Sequence, residues 1–129
     1  MRIAALIARL LLGLIFVVFG LNAFLQFIPM GPPPTGLAGQ FIGALFQSHY
    51  LWVVAVLQIV GGALLLVNRY VPLGLVLLGP VIVNIVLFHS FLAPQGLPMA
   101  LFAAVLWLVV FVGHRKAFEG LFVQKLQVA

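Results

Sequence analysis

The chain has 129 residues, 66% of them hydrophobic and 5% charged, with six Lys and Arg against one acid, and a mean hydropathy of +1.37. A soluble domain carries about 25% charged residues, so this composition excludes a water-facing globule and describes an integral membrane protein. Six scattered basic residues do not build a nucleic-acid groove, and the absence of Cys excludes disulfides, thiolate metal sites and thiol redox chemistry.

The first apolar run covers residues 4–27. It is too long for a signal-peptide core and no small-residue cleavage site follows it, so it reads as the first span. Next come Pro29, Pro32, Pro33 and Pro34, which cannot be α-helical because each lacks an amide donor and restrains its predecessor. Over 37–48, Leu37, Phe41 and Leu45 recur every four residues, the signature of a short amphipathic helix. Twelve residues do not span a bilayer. The helix either lies on the outer surface or dips in as a re-entrant piece. Three more apolar runs cover 50–67, 71–92 and 98–113, each near the roughly 20 residues that cross about 30 Å. The expectation is therefore a single all-α domain over 1–129. It is a four-transmembrane-helix bundle with a short interfacial helix after the first span. The tail 115–127 is amphipathic through Phe118, Leu121, Phe122 and Leu126; it reads as an interfacial helix on anionic lipid or as a docking surface.

The basic residues set the orientation. Arg2 and Arg9 open the first span, Arg69 lies in the turn after the second, and Arg115, Lys116 and Lys125 follow the fourth. The opposite loops, 28–49 and 93–97, contain neither Lys nor Arg. Both termini of this multi-pass protein are therefore expected in the cytoplasm. Arg9, inside the apolar run but near its inner end, is expected to snorkel to the interface.

Polar side chains within the spans are the candidate site, because hydrocarbon leaves them without water to bond. Asn22 and Gln26 share a face near the outer end of the first span. Gln58 lies about 12 Å into the second, on the side of Gly61 and Gly62, whose small size lets a neighbour approach. Pro80 is expected to kink the third span, with Asn84 four residues later at a depth similar to that of Gln58. His89 is five further on, about 140° round the helix from Asn84. The pattern predicts a polar layer of Asn22, Gln58 and Asn84 across three helices, with His89 nearer the rim. These groups read either as interhelical hydrogen-bond glue or as contacts to a quinone or lipid headgroup. Trp107 lies too deep in the fourth span for an interface anchor and reads as packing.

A catalytic constellation is poorly supported. Glu119 is the one acid, so there is no carboxylate pair, and Ser90 beside His89 has no orienting acid. No metal is expected, since no second His or carboxylate stands at ligand spacing from His89. An acid within the spans, the usual mark of coupled transport, is missing as well.

Three segments resemble the DoxX family of small bacterial membrane proteins: Gly20-Leu-Asn22-Ala-Phe24 with the Pro-rich loop, Asn68-Arg69-Tyr70-Val71-Pro72-Leu73, and Pro80-Val-Ile-Val-Asn84-Ile-Val-Leu-Phe88-His89. The resemblance implies a four-helix membrane bundle. It also implies association with membrane redox complexes, since the family takes its name from a subunit linked to thiosulfate:quinone oxidoreductase. Many relatives carry Glu in place of Gln58, so a charge-dependent role does not transfer to that position. The leading expectation is a non-catalytic accessory subunit of a membrane electron-transfer complex, in the bilayer with membrane-protein partners or as a homo-oligomer. The alternatives are a lipid or hydrophobic-ligand carrier and a purely structural scaffold.

Overall fold

The computed structural model describes residues 2–128. The helices are α1 (Arg2–Leu25), α2 (Gly36–Gln47), α3 (Tyr50–Val67), α4 (Val71–Phe91) and α5 (Leu97–Gly113), with short 3-10 segments at Pro94–Gly96 and Arg115–Phe122. Four helical segments are long and apolar enough to cross a membrane: α1, α3, α4 and α5 with its preceding turn. They form a ring in which α1 and α4 each pack against both α3 and α5. Successive spans reverse direction, so every neighbouring pair is antiparallel. All six basic residues lie at one end, called here the basic end; α2 lies at the other. There it packs on α3, and Phe41 on α2 meets Phe88 on α4 with ring centroids 5.5 Å apart.

Glycine makes the ring tight. In a bilayer, association depends on close van der Waals approach, because lipid is as apolar as the helices. A Cβ on Gly13 of α1 would stand 2.8 Å from the Gly62 carbonyl oxygen of α3, and the reverse distance is also 2.8 Å. One residue away, about 100° round α3, Gly61 faces α4. A Cβ on Gly74 would stand 3.0 Å from its carbonyl oxygen. The adjacent glycines thus serve two neighbours at once. The largest fully buried side chains, Leu12, Leu65, Leu75, Leu78 and Val110, pack at this level and below it, in the half nearer the basic end.

The connections follow local chemistry. Asn68 ends α3 with φ 57°, a left-handed conformation that Asn tolerates. The Arg69 amide donates to the Leu64 carbonyl (3.2 Å) and the Asn68 amide to Leu65 (3.3 Å), the paired closure of a Schellman motif. At the far end α1 stops at Leu25, because Gln26 turns left-handed at φ 52°. The tail departs from the expected helix over 115–127: its order is 3-10 and ends at Phe122. Phe118 alone of its apolar face is buried, while Leu121, Phe122 and Leu126 stay exposed. Trp107 stacks on Phe111 at 5.3 Å, and Phe111 meets Phe118 at 5.0 Å. That aromatic column pins the tail to α5 and replaces the amphipathic face as its anchor.

Candidate functional site

Asn22 is buried, and its amide is already engaged. Its Oδ1 accepts the Ile28 amide at 2.7 Å, and its Nδ2 donates to the Ile28 carbonyl at 3.4 Å. It therefore clamps the chain as it leaves α1. Gln26 has left the helix and is exposed, so the expected shared face of the two residues does not form.

Gln58 lies seven residues before the fully buried Leu65, which places it on the same face of α3. Its Cβ would be 3.2 Å from a Cβ added to Gly20 on α1, and the residue is half-buried.

Asn84 points elsewhere. It lies nine residues after the fully buried Leu75, half a turn from the core stripe at 100° per residue. It is exposed, and its Nδ2 donates to the Pro80 carbonyl of its own helix at 2.8 Å. Leu73, Val76, Val83, Leu87 and Phe91 on that face are exposed too. The layer expected across three helices is thus not assembled: Asn22 and Gln58 turn inward while Asn84 faces outward. Matched depth along a helix says nothing about direction round it.

His89 takes the inward direction that Asn84 lacks. It continues the stripe of Leu75 and Ile82 at seven-residue spacing and is half-buried near the outer end of α4. Its Nδ1 lies 3.0 Å from the Ala93 carbonyl oxygen. A carbonyl only accepts, so Nδ1 carries the proton and Nε2 of the neutral ring keeps its lone pair. The ring lies against Gly96, where an added Cβ would overlap it, and edge-on to Phe88 at 5.1 Å. The 3-10 turn thus fixes the imidazole with one nitrogen committed and one available.

Two further polar contacts hold helices together. The Trp107 indole donates to the Leu75 carbonyl at 2.9 Å, joining α5 to α4. Sequence depth carried the signal for this bond, because an indole N–H in hydrocarbon needs an acceptor. Arg9 does not snorkel free. Its guanidinium donates to the Leu65 carbonyl and, at 3.4 Å, to that of Leu66. These are carbonyls of the last turn of α3, where a cation also meets the favourable end of the helix dipole.

Two open clefts of about 430 Å³ each lie at the basic end. One is bordered by Arg2, Arg9, Asn68, His114 and Arg115, and the other by the start of the tail. Among the described residues, no group of three or more His, Cys, Asp or Glu is placed to hold a metal ion.

No curated protein and no solved structure matches the chain significantly. A family model described as DoxX matches residues 4–90, a stretch holding α1 to α4 with Asn22, Gln58, Asn84 and His89, and leaving α5 and the tail outside.

Proposed function

The chain belongs to the DoxX family, and from that premise we propose that it is a non-catalytic accessory subunit of a membrane redox or electron-transfer complex. The observation that carries the subunit part of this reading is Asn84, an amide exposed on the outward face of α4. It lies about 10 Å from the outer end of the helix at 1.5 Å per residue, well inside a hydrocarbon layer of about 30 Å. One donor is used within the helix; the Oδ1 acceptor has lipid around it in the isolated bundle. Hydrocarbon gives it no partner, whereas a neighbouring transmembrane helix does. The face of α4 is therefore assigned to a partner subunit, with Asn84 as its polar contact.

In this proposal His89 and Gln58 serve a second contact, to a quinone or a lipid headgroup entering from the outer end. They lie on inward faces at depths that differ by about 9 Å along the bundle. His89 Nε2 accepts from the hydroxyl of a headgroup or of the reduced quinol at the rim, and the Gln58 amide donates to a carbonyl further in. The basic end is assigned to the cytoplasm of a bacterial inner membrane by the excess of Lys and Arg.

The test is purification from native membrane in mild detergent, followed by identification of co-migrating proteins and extracted quinone. Stable partners that dissociate in Asn84→Leu support the proposal, and bound quinone lost in His89→Ala supports the headgroup contact. A partner-free, quinone-free monomer overturns both. A monomer that retains a long-chain ligand at His89 favours the carrier reading instead, which rests on the inward direction of His89 and Gln58.

A further inference from the structure

The cleft at the basic end brings together charges that the sequence separates by more than a hundred positions. The chain has four arginines, and three of them, Arg2, Arg9 and Arg115, border this cleft together with His114 and Asn68. None of its bordering residues is acidic, and the one acid, Glu119, lies outside it on the tail. Like charges held together on a low-dielectric wall repel unless a counter-charge joins them.

Helix capping accounts for part of this cluster. Arg9 donates to carbonyls at the end of α3, Arg115 donates from Nη1 to the Val112 carbonyl at 3.0 Å, and the His114 Nδ1 lies 2.9 Å from the Val110 carbonyl oxygen. Each guanidinium has five N–H donors, and these bonds use Nη1 alone. The rest stay available on side chains whose rotamers are already set. Capping does not account for Arg2. It begins α1, where its charge opposes the positive end of the helix dipole and where the first-turn amides have no intrahelical acceptor. An anion beside Arg2 meets the guanidinium, the amides and the dipole with one sign.

The wall below is apolar. Ala5 and Leu6 border the cleft on α1, and α5 approaches closely there: a Cβ on Gly113 would lie 3.2 Å from the Ala5 Cβ. A ligand with a phosphate head and hydrocarbon tails matches both parts, because guanidinium forks bind phosphate oxygens bidentately and the tails continue down the lipid-facing side of α1. We propose that this cleft is a binding site for the phosphate headgroup of an anionic phospholipid of the leaflet at the basic end. The site is independent of the partner face on α4 and of the outer headgroup contact.

The test uses the full chain in mild detergent, with native mass spectrometry during titration by phosphatidylglycerol, phosphatidylcholine or sodium phosphate. The expected result is one retained phosphatidylglycerol with clear preference over phosphatidylcholine. Arg2→Gln combined with Arg115→Gln, which spares the Arg9 clip, should weaken it about 25-fold, at roughly fivefold for each basic charge near a lipid surface. Circular dichroism establishes that the double variant is folded. Lys125→Gln, outside the cleft, should bind as the parent does. Equal retention of phosphatidylcholine overturns the site, as does an unchanged affinity in the double variant. An equal loss in Lys125→Gln shows diffuse charge attraction and overturns it too. Capture of sodium phosphate that displaces the lipid overturns the lipid assignment in favour of free phosphate.

Discussion

The two halves of the bundle are packed on different terms. Toward the basic end, Gly13 meets Gly62, Gly61 meets Gly74, and Leu65, Leu75 and Val110 are fully enclosed. Toward the other end, Ala55 is the one buried residue of the first nine of α3, and Val54, Leu57, Ile85 and Val86 are only partly covered. The same end holds Gln58 and His89. Gly20 brings α1 close to α3 at this end too, an added Cβ standing 3.0 Å from the Ala55 carbonyl oxygen, but the side chains around it are only partly covered. Enclosure is thus graded along the bundle axis, with the level of Gly13 and Gly62 as the boundary between fully and partly enclosed side chains.

Substitution at that boundary should have the largest effect. Gly62→Leu drives a side chain into the Gly13 carbonyl and the Val17 backbone. It is expected to destabilise the bundle by about 3 kcal/mol, or to prevent assembly, read from helical content during denaturing-detergent titration. A parent-like titration would show that the glycines are not the contact that closes the ring. Next come matched deletions on one helix. Leu75→Ala should cost about 2 kcal/mol, at the low end because lipid replaces water as the unfolded environment, while Ile85→Ala should cost about 1 kcal/mol. Equal losses would abolish the distinction between the halves. Trp107→Phe keeps the ring stack with Phe111 and removes the bond to Leu75, for an expected loss of about 0.6 kcal/mol. The smallest effect belongs to Asn84→Leu, within about 0.5 kcal/mol on the isolated bundle, since its amide joins no second helix of this chain. A large loss there would mean that Asn84 serves the fold rather than a partner.

Sequence by itself determined the class, the four spans and the end that carries the charge, because each is a sum over local residues. A run of about 20 predominantly apolar residues has one outcome in a bilayer. It also pointed to Asn22, Gln58, Asn84 and His89, since an isolated polar group in an apolar run is visible without coordinates. What each group faces was decided by the tertiary structure. Asn84 and His89 are five residues apart on one helix, yet the packing of α3 and α5 against α4 turns one inward and the other outward. Asn22 bonds a chain segment whose return depends on the left-handed Gln26. Arg2 and Arg115 meet only because α1 closes against α5. Hydropathy is a one-dimensional quantity summed along the chain; direction round a helix acquires meaning only once its neighbours are in place.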